Sequence, residues 1–298
     1  MTALLKHVDP DGLLEFSVVF IDRSLNHMSA SFKGVMTDIS GMLKQVYSAD
    51  AVVIIPGGGT FGMEAVARQF GRDAKVLVVR NGWFSYRWSQ IFDACGSASD
   101  VQVIKARQTG NDKQAAFCPA PIEEVVAQIR SSKPDVVFAP HVETSAGVIL
   151  PDDYITALAA AAHEVGALMV LDCIASGCAW FDMRATGVDV LISAPQKGWS
   201  ASPCAGLVML SERALTRLET STSDSFAIDL KKWHGIMQIY ENGGQAYHAT
   251  MPTDALRAFR DTMLETRDYG FARLCAAQWE LGNAVRAMLK AKGVRSVA

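Results

Sequence analysis

The sequence predicts an α/β protein with a mostly parallel central sheet that is covered by helices on both faces. Half of the 298 residues are hydrophobic, which is enough to build a large core. From about residue 50, short runs rich in β-branched residues alternate with longer stretches of helical periodicity. This alternation is typical of parallel strands joined by helical crossovers, and it is the main basis of the prediction.

The strand candidates are short apolar runs separated by turn-forming residues. They cover 51–55, 75–79, 101–104, 135–139, 168–172, 189–193 and 206–210. Helical stretches between several of them cover 62–70, 121–132 and 152–166. The connections at 173–188 and 194–205 are rich in small residues. We expect binding groups in them, because loops at the carboxyl ends of parallel strands form the crevice of such a sheet.

After Ser211 the strand pattern stops and helices are predicted, with a turn-like stretch at 241–252 and a last helix at about 269–292. We therefore expect three parts. They are an N-terminal segment (1–30), a large domain (31–250) and the start of a C-terminal small domain (251–298). A new apolar run begins at the end of the last helix, so we expect the small domain to be incomplete.

Charge and cysteine usage argue against several classes of protein. The net charge is only −3, from 28 basic and 31 acidic residues spread along the chain, so we expect no nucleic-acid partner. Charges interrupt every apolar run well before membrane-spanning length, and the N-terminus lacks a signal pattern, so a soluble, cytoplasmic protein is expected. The six cysteines are irregularly spaced without CxxC, which argues against disulfides or a metal site.

Lys197 and Asp172 are the most informative residues. Lys197 follows a strand candidate in SAPQKGWS, and Asp172 ends another strand candidate 25 residues earlier. Pyridoxal phosphate needs a lysine amine to hold its aldehyde as a Schiff base and a carboxylate to keep its ring nitrogen protonated. The alternatives are a strand-end turn residue and an ordinary surface lysine. The flanking proline, glycine and tryptophan favour a partly dry pocket for the amine.

A glycine turn, PGGGT at 56–60, lies between a strand candidate and a helix candidate. Glycines let the backbone approach a ligand, and a helix N-terminus offers N–H groups to an anion such as a phosphate. A dinucleotide site is disfavoured, because the pattern is not GxGxxG and no acidic residue ends the next strand candidate. A tight turn without a ligand is the other interpretation.

Two further loops follow strand candidates. In NGWFSYRW (81–88), Phe84 or Trp83 could stack on a flat ring, although such clusters more often pack in a core. In HVETSAGV (141–148), polar groups from Glu143, Thr144 and Ser145 could hydrogen-bond a ring hydroxyl, or simply form a polar turn. His141 is expected to be structural rather than catalytic.

Six segments, in this order, resemble the class V, fold type I aminotransferases, particularly the alanine/serine–glyoxylate group. They are PGGGTFGMEA, NGWFSYR, HVETSAGV, LDCIASG, SAPQKGW and YHATMP. The resemblance covers about 20–290, and the ordered set is far more specific than any single segment. It implies the fold type I transferase architecture with pyridoxal 5′-phosphate as cofactor.

The resemblance also implies a role for each matching residue. Lys197 would be the catalytic residue that forms the Schiff base, and Asp172 would pair with the ring nitrogen. Around the phosphate and ring it places Gly58, Gly59, Thr60, Gln196, the stacking Phe84, and Thr144 near the ring hydroxyl. Tyr247 and Thr250 would enter the phosphate site of a partner subunit, which implies an obligate homodimer with shared active sites.

The implied reaction moves an amino group from a small amino acid (serine, alanine or aspartate) to a 2-oxo acid such as glyoxylate or pyruvate. Two departures stand out: Pro195 replaces a frequent serine, and the family's substrate-carboxylate arginine falls beyond Ala298. A lyase of the cysteine desulfurase type is the nearest alternative, with Cys178 or Cys204 as nucleophile. Gln196 argues against it, since those enzymes usually have histidine there. A non-catalytic relative is the third possibility.

Overall fold

The computed structural model describes residues 25–298, so most of the expected N-terminal segment (1–30) lies outside the described residues. Within this range the strands alternate with helices along the chain. The strands are β1 (Ala51–Pro56), β2 (Lys75–Arg80), β3 (Asp100–Lys105), β4 (Arg107–Gln108), β5 (Phe117–Cys118), β6 (Val136–Pro140), β7 (Val142–Glu143), β8 (Val148–Ile149), β9 (Leu168–Asp172), β10 (Val190–Ser193) and β11 (Ala205–Leu210).

The helices of the described range connect these strands and then make up the rest of the chain. They are α1 (Ala30–Tyr47), α2 (Gly59–Phe70), α3 (Tyr86–Cys95), α4 (Ile122–Ser132), α5 (Asp152–Glu164), α6 (Met183–Thr186), α7 (Glu212–Thr220), α8 (Leu230–Glu241), α9 (Thr253–Tyr269) and α10 (Phe271–Ala291). None of them combines the length and apolar character that a membrane crossing requires.

Seven strands form the central sheet in the order β1-β11-β10-β9-β6-β2-β3. β11 pairs antiparallel with both of its neighbours, whereas the other neighbouring pairs are parallel. All strands except β11 therefore run in one direction. This arrangement confirms the predicted α/β class with a mostly parallel sheet, and two short hairpins, β4–β5 and β7–β8, stand apart from it.

Helices cover both faces of the sheet, as predicted. Successive residues of a strand face opposite sides of its sheet. On β10, Ser193 contacts the hydroxyl of Tyr47 at the end of α1, at 3.2 Å, whereas Ile192 lies against Gly62 of α2. α1 and α2 thus lie on opposite faces. β1 at one edge of the sheet and the interior strands β11, β10, β9 and β6 are buried along nearly their whole length, while β3 at the other edge is only partly buried.

All seven predicted central strands are confirmed to within about one residue at each end. The predicted helices are also confirmed, although α2 begins at Gly59 rather than at residue 62. α1 and α3 were not predicted. The last predicted helix, at about 269–292, is confirmed as α10, and Gly270, with φ 103°, separates it from α9. Residues 242–252 form the predicted irregular connection.

Candidate active site

A cavity of about 230 Å³ lies at the carboxyl ends of the strands that run in one direction. The loops that follow β1, β2, β9 and β10 line it, together with the β7–β8 hairpin that follows β6. Eight of the ten predicted site residues meet there. They are Gly58, Gly59, Thr60, Phe84, Thr144, Asp172, Gln196 and Lys197.

The glycine turn brings the N-terminus of α2 to the cavity wall. Gly57 has φ 126°, a conformation that favours glycine, and Gly58 caps α2 without a side-chain hydrogen bond. A Cβ at Gly59 would lie 2.6 Å from Ile174 Cδ1, so the backbone here is packed closely against the loop after β9. The first N–H groups of a helix lack partners within the helix. They make this end of the cavity suited to an anion.

Arg87 also lines the cavity, and sequence reasoning gave it no role. Its Nη1 donates a hydrogen bond to Thr60 Oγ1 at 3.2 Å, and its guanidinium carbon lies 5.6 Å from the centre of the Phe84 ring. Within residues 25–298 it forms no salt bridge with a carboxylate. The cavity therefore has a second source of positive charge beside the helix N-terminus. Only the location of Arg87 after β2 hinted at this.

The two candidate stacking residues of the aromatic loop after β2 lie in different surroundings. Phe84 lines the cavity, whereas Trp83 does not and leaves 63% of its surface exposed. Core packing is therefore the wrong interpretation for both side chains. Phe84 is the ring available to a flat ligand, because offset stacking of aromatic rings is favourable.

Asp172 ends β9 with its side chain against the cavity and only 7% of its surface exposed. Burial raises the pKa of its carboxyl group from 3.8 to about 6. The backbone N–H of Ile174, which donates to Oδ1 at 2.9 Å, and the charges of Arg87 and Lys197 act in the opposite direction. A carboxyl group with so little solvent needs a polar partner, and a protonated ring nitrogen is one.

Lys197 and Gln196 lie in the turn between β10 and β11. Lys197 lines the same cavity as Asp172, but it is exposed, so the expected partly dry pocket is not observed for its amine. The backbone of this turn packs directly against Gly177 at Gly198, where a Cβ would overlap the Gly177 carbonyl group. This close packing fixes the turn. The Oε1 atom of Gln196 is buried and lacks a hydrogen-bond partner among the described residues. A ligand in the cavity could therefore donate a hydrogen bond to this oxygen.

The loop after β6 contributes Thr144 alone to the cavity wall among its three candidate polar residues. The Glu143 carboxylate accepts hydrogen bonds from the Ser145 hydroxyl at 2.6 Å and from the loop after β2. His141 is buried, its Nδ1 lies 2.7 Å from Ser176 Oγ, and burial lowers its pKa to about 4. These contacts agree with a structural role for His141.

Tyr247 and Thr250 do not line the cavity of their own chain. Their hydroxyl groups lie 3.2 Å apart in the connection between α8 and α9, and 63% of Tyr247 is exposed. The two candidate lyase nucleophiles are also outside the cavity wall. Burial raises the pKa of the Cys178 and Cys204 thiols, the latter to about 11, which disfavours the reactive thiolate.

The chain matches the family model for class V aminotransferases over residues 15–296. Alanine–glyoxylate aminotransferase 1 of Saccharomyces cerevisiae is 25% identical over 276 residues, which cover 87% of this chain and 67% of that protein. The 2-aminoethylphosphonate–pyruvate transaminase of Paraburkholderia phymatum is 30% identical over 270 residues, covering 86% of this chain and 66% of the relative. The chain thus spans about two thirds of the length of these curated relatives.

Solved structures show the same fold. An alanine–glyoxylate aminotransferase from Nostoc sp. matches 89% of this chain and 67% of its own, with a TM-score of 0.76 and 22% identity. A ureidoglycine–glyoxylate aminotransferase from Bacillus subtilis matches 90% of this chain and 66% of its own, with a TM-score of 0.73 and 22% identity. The cavity, the fold type I architecture and the family match agree, and the chain therefore belongs to the class V aminotransferases, a family of pyridoxal phosphate-dependent transaminases.

Proposed function

We propose that the protein is a pyridoxal phosphate-dependent transaminase that moves an amino group from a small amino acid to a 2-oxo acid such as glyoxylate or pyruvate. The observation that carries this proposal is the meeting of Lys197, Asp172 and the N-terminus of α2 in one cavity. The names of two relatives, which act on alanine and glyoxylate or on 2-aminoethylphosphonate and pyruvate, support the reaction class.

The residues present fit the proposed cofactor. The N-terminus of α2 and the cation of Arg87 suit a phosphate group. Phe84 suits an aromatic ring, Thr144 a ring hydroxyl, and the buried Asp172 a protonated ring nitrogen. Gln196 supplies a polar atom without a partner in the described structure. We propose that Lys197 would hold the cofactor covalently through Nζ, with the aldehyde oxygen leaving as water.

Each step of the proposed mechanism assigns a task to a residue of this chain. When bound, pyridoxal phosphate accepts the amino group and the electrons of the Cα–H bond of the amino acid. Lys197 Nζ would remove the Cα proton of the amino acid as a general base and, as a general acid, would deliver it to the carbon that was the cofactor aldehyde. The ionised Asp172 carboxylate holds the proton on the ring nitrogen, and Phe84 keeps the ring plane fixed.

Oligomeric state and domain structure complete the proposal. We propose a homodimer in which Tyr247 and Thr250 contact the phosphate in the partner's cavity, since both are exposed and outside their own cavity. Exposed aromatic side chains such as Phe226, 76% exposed, offer apolar surface for such an interface. We also propose that 31–250 forms the large domain and that 251–298 belongs to a small domain.

Replacement of Lys197 tests the function. The Lys197→Ala variant should lose both the visible absorbance of bound pyridoxal phosphate and glyoxylate-dependent turnover of small amino acids, because it lacks the amine that binds the aldehyde and moves the proton. Lys232→Ala, which changes an exposed lysine of α8, is the matched control and should keep both signals. Full turnover in Lys197→Ala, or sulfide release from cysteine as the main activity, would overturn the proposal.

A further inference from the structure

Glu143 is a fully buried carboxylate beside the cavity rather than in its wall. It accepts hydrogen bonds from the N–H of Phe84 at 3.1 Å, the N–H of Ser85 at 2.9 Å and the Ser85 hydroxyl at 2.6 Å. The Ser145 hydroxyl donates to the same carboxylate at 2.6 Å. One side chain thus ties the loop after β2 to the loop after β6.

Glu143 also accepts a hydrogen bond from the backbone N–H of Ser145 at 3.3 Å. Among residues 25–298 it forms no salt bridge. Burial acts to raise the pKa of Glu143, but the donors from Ser145, Ser85 and Phe84 outweigh it, so the pKa lies below its ordinary value. The carboxylate is therefore ionised at neutral pH, and an ion without a charged partner is costly to bury unless its hydrogen bonds are complete.

The two loops that Glu143 joins carry residues of the proposed cofactor site. Phe84 donates its own N–H to Glu143, and Thr144 is the next residue along the chain. The loops are also packed tightly where they meet, since a Cβ at Gly82 would lie 2.7 Å from Glu143 Cδ. Movement of the Glu143 carboxylate would therefore displace both sides of the cavity together.

We propose that Glu143 is a positioning residue whose buried carboxylate fixes the distance between Phe84 and Thr144 across the cavity. This inference rests on the proposed function, in which Phe84 stacks on the cofactor ring and Thr144 contacts its hydroxyl. Glu143 itself touches neither cofactor nor substrate. It acts through the backbone of the loops that carry Phe84 and Thr144.

The Glu143→Gln variant tests the inference, because glutamine keeps the size of the side chain but replaces one carboxylate oxygen by an NH₂ group. That NH₂ group cannot accept hydrogen bonds from the N–H and hydroxyl donors that surround it. In the cofactor-free protein, hydrogen exchange at the Phe84 and Ser85 amides should become about tenfold faster than in the wild type. The dissociation constant of added pyridoxal phosphate should rise about tenfold or more, since a flexible wall must be ordered on binding.

Asp189→Asn is the matched control. Asp189 is also a buried carboxylate, at the opposite end of β10. It accepts from the Met169 N–H at 2.8 Å and the Ser211 hydroxyl at 3.1 Å, and, unlike Glu143, it also lies 2.9 Å from a histidine nitrogen, His163 Nε2. Both variants should unfold at lower denaturant concentration. Only Glu143→Gln should weaken cofactor binding and speed exchange in the loop after β2. An equal effect of the two variants on cofactor affinity would reduce Glu143 to a general stability role and refute the inference.

Two outcomes separate this inference from the proposed function. If the wild-type protein does not bind pyridoxal phosphate, the proposed function fails. If the wild type binds it and Glu143→Gln binds it equally tightly with unchanged exchange, only the positioning role fails.

Should Glu143→Gln not fold, Ser145→Ala serves as the second variant, because it removes one donor and leaves the charge in place. It should weaken cofactor binding less than tenfold, and unchanged binding would contradict the inference.

Discussion

At the scale of single residues, Asp172 lowers the stability of the fold when it is ionised, yet the proposed cofactor site needs its carboxylate. Its carboxyl group is almost fully buried, and burial raises its pKa from 3.8 to about 6. The folded protein therefore binds this proton more tightly than the unfolded chain does. The contribution of Asp172 to stability is highest below about pH 4, falls as the pH rises to about 6, and stays low above that.

Replacement of Asp172 by asparagine should reveal this cost. At pH 8 the cofactor-free Asp172→Asn protein should be more stable than the wild type by up to about 3 kcal/mol, because each unit of pKa shift corresponds to about 1.4 kcal/mol. Near pH 4 the difference should disappear. Urea unfolding at both pH values measures it, and His141, whose lowered pKa affects both proteins, cancels from the difference. An equal gap at both pH values would contradict the assignment.

The sequence identified cavity residues best where a strand ends in them. Asp172 is the last residue of β9, and Lys197 lies in the turn after β10, so strand positions alone brought them to one edge of the sheet. Arg87 and Glu143 show what the sequence could not give. Arg87 reaches Thr60 from α3, and Glu143 points toward a loop 58 residues earlier. Both directions depend on tertiary packing, which leaves no local pattern.

At the scale of elements, the placement of α2 against β11 sets the anion-binding end of the cavity. Gly206 of β11 lies directly beneath the first turn of α2. A Cβ there would be 2.7 Å from Gly62 N and 2.9 Å from the carbonyl oxygen of Gly58. These are backbone atoms, so they can move only if the helix moves. The close approach of helix and strand therefore holds the glycine turn in place.

The Gly206→Ala variant should push α2 away from the sheet. We expect a loss of about 1–3 kcal/mol in unfolding free energy, from overpacking, together with weaker binding of pyridoxal phosphate. Gly34→Ala is the control, because Gly34 lies inside α1 with open space around it, and alanine should stabilise that helix by about 0.5–1 kcal/mol. If Gly206→Ala bound the cofactor as tightly as the wild type, the helix position would not determine the site.

The elements that the sequence missed have physical reasons. α1 contains Gly34 and Gly41, which weaken a helical pattern, yet its apolar face is buried against the sheet and α9. α3 has only ten residues and begins inside the aromatic segment 81–88, which leaves few residues to show a helical spacing. The antiparallel direction of β11 is not encoded in its own apolar residues, because strand direction follows from the length and path of the connection before it.

At the scale of the whole molecule, the proposed homodimer makes each cavity depend on two chains. Neither Tyr247 nor Thr250 lines the cavity of its own chain, whereas Lys197 does. In a symmetric dimer the same contact occurs twice, so each subunit would supply a lysine to one site and the hydroxyl pair to the other. Family resemblance suggested this arrangement, and one chain cannot reveal it from its composition or periodicity.

Complementation between two inactive proteins tests the shared sites. Lys197→Ala and the double variant Tyr247→Ala/Thr250→Ala should each have little activity alone. Unfolded together and refolded, they should recover about a quarter of wild-type activity, because half of the dimers are mixed and each mixed dimer has one intact site. Mixing either variant with itself is the control. Absence of recovery, with mixed dimers shown by mass spectrometry, would indicate sites contained within single chains.

The pairing of β1 with β11 has a consequence for synthesis of the protein. Ala51 of β1 pairs with Leu210 of β11, so β1, which leads into the glycine turn, cannot pair until β11 has been synthesised. A nascent chain that ends before residue 205 has β1 without its partner strand, and contacts so distant in sequence form slowly. Binding of the proposed cofactor should therefore follow emergence of at least residue 210 from the exit tunnel.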